Sequence, residues 1–226
     1  MGRMGQHGNW TGREEEVRLV VGDRSPARAR SEESFGNGLA DNAWHRIHGV
    51  PGDSARLCHL SYIKPQWPYL APAPYNDVYS KDDLPPVNRR DGEFTQPLMK
   101  AWAETRICKS FSRNTVRDVV APVYIGLIKE LDDNMGRLLD YLEESGRMKD
   151  NMAVFCSDHG DNMGDHWLGE KGLFYDCSAR ISLIVYDPRD EADATRETAS
   201  NQLIEGIDLA PTLQQFLGGP AKPHVF

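Results

Sequence analysis

The chain has 226 residues, of which 39% are hydrophobic and 27% are charged, which suits one globular domain with a buried core. The formal net charge of -8 argues against nucleic acid or an anionic membrane surface as the main partner, because both favour a basic protein face. No apolar run reaches the roughly 18 residues of a membrane span. The amino-terminal segment is too charged for a secretory signal, so we expect a soluble, cytoplasmic protein.

The four cysteines are scattered and form no Cys-x-x-Cys pair. They are Cys58, Cys108, Cys156 and Cys177. Such spacing does not indicate a disulfide framework, and it predicts plain buried thiols in a reducing compartment.

The amino-terminal part of the chain differs in composition from the rest. Residues 1–41 are rich in Gly, Arg, Glu and Ser and show no sustained apolar period, which predicts a poorly ordered or divergent segment. We place the domain at residues 42–226. It begins with a short helix at 43–47 and a strand at 56–63.

A proline-rich loop and a polar stretch follow this strand. Residues 64–75 contain too many prolines for a helix or a central strand, since proline lacks the backbone donor that both need. For residues 76–120 we predict a long excursion with short helices.

Helical periodicity is clear over residues 123–145. Apolar side chains recur there at spacings of three and four, and Gly146 follows as a stop signal. We therefore predict an amphipathic helix that packs one apolar stripe on a sheet.

Two short apolar runs predict strands. Residues 152–156 resemble a central strand of a parallel sheet that is covered on both faces, and residues 183–186 form the second run. Asp208 can cap a final helix that contains Pro211 in its first turn and runs to Leu217. The order of strands and helices predicts an α/β fold.

Asp158 and His159 follow the strand at 152–156, and ligands of open α/β sheets bind outside the carboxyl ends of strands. The pair offers a carboxylate oxygen and an imidazole nitrogen to a divalent cation. Taken alone, an Asp-His dipeptide is more often a solvated turn.

The loop after this pair is dense in ionisable residues. Asp161, Asp165, His166, Glu170 and Lys171 stand among four glycines. Such a set suits a wet or charged site, and Lys171 could stabilise an anionic oxygen. A flexible surface loop fits the same pattern equally well.

The run from Cys156 to Gly172, Cys-Ser-Asp-His-Gly-Asp-Asn-Met-Gly-Asp-His-Trp-Leu-Gly-Glu-Lys-Gly, resembles the metal-binding segment of sulfatases and phosphonate monoester hydrolases. These enzymes are members of the alkaline phosphatase superfamily. The resemblance extends to three further segments, so it covers roughly residues 42–219. Those segments are 58–65, 174–181 and 207–212.

The resemblance implies a partial alkaline-phosphatase-like sandwich, with a mostly parallel sheet and helices on both faces. It implies that Asp158 and His159 bind one divalent metal, Ca²⁺ or Mn²⁺ ahead of Mg²⁺. Lys171, twelve residues after His159, would then be a catalytic residue that contacts the transferred group. Gln66 and His166 would line the substrate pocket, although an ordinary surface histidine is an equally good interpretation of His166.

Two departures from the family pattern bear on activity. The family nucleophile, a formylglycine made from cysteine or a serine in a Cys/Ser-x-Pro-x-Arg motif, is absent here, because the nearest match places Arg24 at that position. The acidic cluster of the first strand is also not found. Gln66 stands where the family has a histidine, and glutamine cannot transfer a proton near neutral pH. We therefore expect an amino-terminally truncated catalytic domain that lacks the first strand and the nucleophile segment.

The function that the resemblance implies is metal-dependent hydrolysis of sulfate esters or phosphonate or phosphate monoesters, with a small anionic ester as substrate and with impaired activity. The alternative is an inactive remnant, or a metal-binding or interaction module on the same scaffold. A two-metal phosphatase or phosphodiesterase would need a second cluster of His and Asp, which the sequence does not show.

Overall fold

The computed structural model describes residues 18–21 and 56–219. Its strands are β1 (Arg18–Val21), β2 (Arg56–His59), β3 (Ala153–Cys156) and β4 (Leu183–Tyr186). Its helices are α1 (Pro97–Ala103), α2 (Arg106–Phe111), α3 (Asn114–Glu144), α4 (Asp176–Ala179) and α5 (Leu209–Phe216). Among these, no helix has both the length and the apolar character needed to cross a membrane.

The described residues belong to two compact units. The first contains residues 18–21, 56–61 and 197–219, and the second contains residues 62–196. In the first unit β1 and β2 pair in parallel, with Arg18 opposite Arg56. The same unit contains α5, which begins directly after Asp208 and includes Pro211 in its first turn, as predicted.

Strand β1 lies inside the segment 1–41. Its apolar run Leu19–Val21 was not recognised as a strand from the sequence, and the predicted helix at 43–47 lies outside the described residues. Strand β2 ends at His59, whereas residues 56–63 were predicted. A histidine inside a predicted strand is more often a core residue than a ligand, but His59 is exposed.

Helix α3 begins nine residues before its predicted start, because it continues through Pro122, a residue that usually ends a helix. Gly146 follows it with a φ of 70°, so the predicted stop is confirmed. The helix packs on α2 and on short 3-10 turns at Tyr75–Asp77, Lys81–Asp83 and Arg147–Lys149. Within residues 56–219 these contacts are with helices and turns, so the expected packing on a sheet is not found in this part of the chain.

Gly126 explains how the proline-rich loop approaches α3 so closely. A Cβ on Gly126 would lie 2.0 Å from the carbonyl oxygen of Tyr75, so only glycine fits. A stripe of apolar residues predicts that a helix is covered on one side, but it does not say by what. Here the loop residues around Tyr75 cover part of α3.

Strands β3 and β4 pair antiparallel, with Cys156 opposite Leu183. The interpretation of β3 as a central parallel strand covered on both faces is wrong for the described residues, because Cys156 is exposed. A four-residue apolar run shows that a strand is partly covered, but it does not fix the direction of its neighbour. This pairing places Asp158 just beyond the carboxyl end of β3.

The buried core of the second unit lies between α2, α3 and the loop after β3. Its apolar members are Cys108, Phe111, Ala121, Leu127, Tyr141 and Leu168. Of the four cysteines, Cys108 is buried, Cys177 is half-buried, and Cys58 and Cys156 are exposed. The prediction of buried thiols is therefore wrong for two of the four.

Candidate functional site

Asp158 and His159 follow β3 and fold back on each other. The N–H of His159 donates to Oδ1 of Asp158 at 3.0 Å, and Nε2 of His159 lies 3.6 Å from Oδ2 of Asp158. Nδ1 of His159 lies 2.8 Å from the carbonyl oxygen of Gly160. A carbonyl oxygen only accepts, so Nδ1 carries the proton. In the neutral imidazole the lone pair is then on Nε2, beside the carboxylate.

This donor pair fits a divalent cation. A carboxylate oxygen and an imidazole nitrogen suit Mn²⁺, and the carboxylate also suits Ca²⁺ and Mg²⁺. The side chain of Asp158 is 88% exposed, whereas that of His159 is 30% exposed, so a cation here would remain open to a substrate. Across residues 56–219 and 18–21, no cluster of three or more His, Cys, Asp or Glu forms a complete metal site. The pair thus offers two donor groups.

Gly160 lets the chain turn sharply after His159. Its N–H donates to the carbonyl oxygen of Ser178 at 2.9 Å. A Cβ at this position would lie 2.1 Å from the carbonyl oxygen of Cys177, so a larger residue would push the chain away from α4. The close approach of the backbone to α4 therefore fixes where the candidate cation ligands lie.

The loop that carries Lys171 is closed by Asn162, which is 1% exposed. The N–H of Asn162 and its side-chain amide both donate to the carbonyl oxygen of Glu170, at 2.8 and 2.7 Å. Lys171 itself is half-buried. Gly172 follows with a φ of 143°, and a Cβ there would lie 2.4 Å from the ring of Trp102. Both sequence neighbours of Lys171 are therefore fixed in position, Glu170 by Asn162 and Gly172 by Trp102.

Asp161 follows His159 by two residues and begins the loop that leads to Lys171. Its Oδ2 accepts from the hydroxyl of Tyr69 at 2.7 Å, and its Oδ1 accepts from the N–H of Met163 at 2.9 Å. Burial raises the pKa of Asp161, while these hydrogen bonds and the charges of His159 and Lys171 lower it. Asp161 thus lies within electrostatic reach of both a predicted cation ligand and the predicted anion contact.

Sequence reasoning did not assign a role to Tyr69 or to Asp161. Burial raises the pKa of Tyr69, and the charge of Asp161 raises it further, so the phenol stays protonated and donates. Burial and Asp161 also raise the pKa of Tyr124 to about 12. The signal that was available from sequence is the acidic residue two positions after His159, but its partner is 92 residues away.

His166 lies in a half-buried pair with Glu93. Nδ1 of His166 contacts Oε1 of Glu93, with side-chain exposures of 14% and 10%. The imidazole stacks on the ring of Tyr175, with centroids 3.8 Å apart and 12° between the planes. Burial and the nearby Glu93 raise the pKa of Tyr175. This environment differs from that of an ordinary surface histidine.

The segment around Glu93 holds the tip of the His166 loop. The carbonyl oxygen of Asn88 accepts from the N–H of His166 at 2.7 Å, and Nε of Arg89 donates to the carbonyl oxygen of Gly164 at 2.7 Å. The indole N–H of Trp167 donates to the carbonyl oxygen of Arg90 at 3.1 Å. With the bond from the N–H of Asn88 to Oδ1 of Asp165 at 3.0 Å, five hydrogen bonds or ion pairs connect these two segments, more than 70 residues apart.

Gln66 lies in the proline-rich loop and is half-buried. Nζ of Lys64 donates to the carbonyl oxygen of Gln66 at 3.3 Å and also contacts that of Pro68. The buried carboxylate of Glu130 lies near enough to Lys64 to raise its pKa, against the larger lowering by burial. The backbone of this loop is therefore gathered around one ammonium group.

The five predicted site residues fall into three places. Asp158 and His159 lie at the start of one loop and Lys171 at its end, and Asn162 closes this loop through the carbonyl oxygen of Glu170. Within the described residues, no hydrogen bond or ion pair joins Gln66 or His166 to them. The roles of all five in binding stay predictions.

Comparison with protein-family models identifies the family of this chain. The family model described as Sulfatase matches residues 26–219. The multifunctional alkaline phosphatase superfamily protein PehA of Trinickia caryophylli is 33% identical, over 91% of this chain and 43% of its own length. An arylsulfatase of Clostridium perfringens is 32% identical, over 70% of this chain and 33% of its own length.

Solved structures show the same relationship. The phosphonate monoester hydrolase of Silicibacter pomeroyi superposes with a TM-score of 0.70 and 28% identity, over 85% of this chain and 40% of that one. The phosphonate monoester hydrolase of Agrobacterium radiobacter superposes with a TM-score of 0.70 and 25% identity, over 81% of this chain and 38% of that one. The predicted alkaline-phosphatase-like fold is thereby confirmed. The present chain spans less than half the length of each of these four proteins.

Proposed function

Because this chain belongs to the sulfatase family, we propose that it is a metal-dependent hydrolase of sulfate esters or of phosphonate or phosphate monoesters. In this proposal Asp158 and His159 bind a divalent cation, and Lys171 binds the anionic group of the substrate. Members of the family typically use such a metal. Ca²⁺ and Mn²⁺ are the candidates, ahead of Mg²⁺.

The observation that carries the proposal is the geometry of the Asp158–His159 pair. The proton on Nδ1 of His159 is engaged by the carbonyl oxygen of Gly160, and Nε2 lies 3.6 Å from a carboxylate oxygen. Histidine metal ligands usually have their second nitrogen held by such an acceptor, which orients the ring. This arrangement supports the proposal that the pair supplies two ligands to one cation.

Each residue has a chemical task in this proposal. A divalent cation at the pair would polarise an oxygen of the sulfuryl or phosphoryl group. The ammonium of Lys171 is a compact charge with three donors, which can follow the negative charge that develops on the transferred group. The exposure of Asp158 leaves a path for the ester. Gln66 can hydrogen-bond an oxygen but cannot protonate a leaving group.

The names of the related proteins suggest the substrates to try. One relative is an arylsulfatase, and two solved relatives are phosphonate monoester hydrolases. Aryl sulfates and aryl phosphonate monoesters both carry an anionic group and a good leaving group. Both fit one cation and one lysine.

A second candidate function is a cation-binding module without turnover. Two observations favour it, namely the glutamine at position 66 and the presence of only two cation ligands in the described part of the chain. In that case the same pair would bind the cation, but no ester would be cleaved. The two candidates differ in turnover and agree in cation binding.

Hydrolysis assays with the purified 226-residue chain separate these candidates. The substrates are 4-nitrophenyl sulfate and 4-nitrophenyl phenylphosphonate, each with added Mn²⁺ or Ca²⁺. The hydrolase predicts metal-dependent release of nitrophenol that is lost in Asp158→Asn and His159→Gln but kept in Asp150→Asn, a change at an exposed carboxylate outside the site. Cation binding without release supports the module. If the chain neither binds the cation nor releases nitrophenol, both candidate functions are contradicted.

A further inference from the structure

The hydroxyl of Tyr69 and the carboxylate of Asp161 form a hydrogen bond of 2.7 Å between two separate parts of the site. Tyr69 belongs to the proline-rich loop that also carries Gln66. Asp161 follows His159 by two residues and begins the loop that ends at Lys171. The bond therefore joins the loop of one predicted substrate contact to the loop of the predicted cation and anion contacts.

Tyr69 is held firmly by its aromatic neighbours. Its ring meets Phe111 of α2 edge-on, with centroids 6.0 Å apart and planes at 78°. It meets Tyr124 of α3 in the same way, at 5.9 Å and 83°. Edge-to-face pairs of this kind stabilise one ring orientation. The position of the Tyr69 hydroxyl is thus fixed by two helices of the core.

Asp161 is in turn fixed through both carboxylate oxygens. Oδ2 accepts from Tyr69, and Oδ1 accepts from the N–H of Met163 at 2.9 Å. The carboxylate cannot rotate without losing one of these bonds. A half-buried carboxylate is therefore held at one point, two residues after His159 and directly before Asn162. Asn162 in turn bonds the carbonyl oxygen of Glu170, the residue before Lys171.

We propose that Tyr69 and Asp161 are a positioning pair, in which Tyr69 holds the Asp161 charge where it strengthens cation binding at Asp158 and His159 and restrains the ammonium of Lys171. This inference rests on the proposed function. Neither residue contacts the reacting atoms in this proposal. They act through the three residues that do.

The two members of the pair have different tasks, so their substitutions have different effects. Tyr69→Phe keeps the ring packing and the charge of Asp161 but frees Oδ2, so the carboxylate is no longer fixed. Asp161→Asn keeps the size of the side chain and removes the charge. Loss of the charge weakens the attraction for a cation and frees Lys171 from a competing anion.

The test is a titration of the full chain with Mn²⁺, followed by electron paramagnetic resonance of the free ion. Substitution of residues that support metal ligands typically costs about tenfold or more in affinity, and we expect about tenfold for Tyr69→Phe. The matched control is Tyr75→Phe, which also removes a tyrosine-to-aspartate hydrogen bond, the 2.9 Å bond from Tyr75 to Asp133. That control should leave the Mn²⁺ affinity unchanged.

Asp161→Asn is the second variant, and inorganic sulfate is the second probe. We expect this variant to weaken Mn²⁺ binding about tenfold, as for other supporting residues. Sulfate binding, measured by isothermal titration calorimetry, should become tighter, because Lys171 loses a competing anion. A merely structural pair would lower the melting temperatures of Tyr69→Phe and Asp161→Asn and leave both affinities of the folded protein unchanged, which overturns the proposal.

The outcomes separate this inference from the proposed function. If the unmodified chain binds Mn²⁺ and both variants bind it equally well, the positioning pair is wrong and the cation site stands. If the unmodified chain binds no Mn²⁺, the cation site and the positioning pair are both wrong. If Tyr69→Phe and Tyr75→Phe weaken Mn²⁺ binding equally, the loss is not specific to Tyr69 and the positioning role of Tyr69 and Asp161 is wrong.

Discussion

Asn162 binds the carbonyl oxygen of Glu170 twice, through its backbone N–H at 2.8 Å and its side-chain amide at 2.7 Å. The Oδ1 atom of Asn162 also accepts from the thiol of Cys177 at 3.0 Å. One buried side chain thus closes the loop that separates His159 from Lys171. The distance between the two ends of the candidate site depends on this closure.

Replacement of Asn162 by alanine is expected to lower the free energy of unfolding by about 1–3 kcal/mol, because buried hydrogen-bond partners are left unsatisfied. Asn151→Ala is the matched control, since its amide also donates to a carbonyl oxygen, that of Arg147 at 2.6 Å, but in an exposed position. The control should change stability by less than about 0.5 kcal/mol. Urea unfolding measures both, and equal losses would refute a special role for Asn162.

Gly172→Ala is expected to destabilise the protein by about 1–3 kcal/mol. A Cβ there would lie 2.4 Å from the indole of Trp102, and a φ of 143° is strained for any other residue. Gly136→Ala in α3 meets no atom within 4 Å and should instead stabilise by about 0.5–1 kcal/mol. Thermal melts should show a lower melting temperature for Gly172→Ala and a higher one for Gly136→Ala. An unchanged melting temperature in Gly172→Ala would contradict the close contact with Trp102.

Because Glu93 contacts His166, two substitutions of Glu93 should lower the free energy of unfolding by different amounts. Glu93→Ala removes the acceptor of a half-buried imidazole and should cost about 1–3 kcal/mol, whereas Glu93→Gln keeps an acceptor oxygen and should cost less. Urea unfolding at one fixed pH compares the two variants. Equal losses would show that the contact to His166 contributes little.

Cysteine reactivity tests the environment of Cys177. Burial, and then the charge of Asp165, raise the pKa of Cys177 to about 11. Only the thiolate reacts, so Cys177 should be slow toward Ellman's reagent at pH 8 and faster as the pH rises toward 11. The exposed Cys58 and Cys156 should react fast at pH 8. Cys156→Ser should therefore remove a fast thiol, and loss of a fast thiol in Cys177→Ser would contradict the assignment.

Local patterns predicted the elements that depend on neighbours in sequence. The strands at β3 and β4, the stop at Gly146 and the helix after Asp208 follow from short runs of apolar residues and their flanking residues. The position of Asp158 after β3 follows in the same way. Such features need no knowledge of the rest of the chain.

Features that depend on distant residues were missed. The partners of Asp161 and His166 are 92 and 73 residues away, and no local pattern indicates them. For the same reason the sequence did not show that a loop covers part of α3, or that the described neighbour of β3 runs antiparallel to it. The domain boundary at residue 42 and the cytoplasmic location stay predictions.

The central claim is that Asp158 and His159 bind a divalent cation, and a Mn²⁺ titration of the His159→Gln variant tests it most directly. His59→Gln is the control, because His59 is an exposed histidine outside the proposed site. We predict that the unmodified chain and His59→Gln bind one Mn²⁺ with the same affinity, and that His159→Gln binds it at least about tenfold more weakly. Equal Mn²⁺ affinities of His159→Gln and His59→Gln would contradict the account.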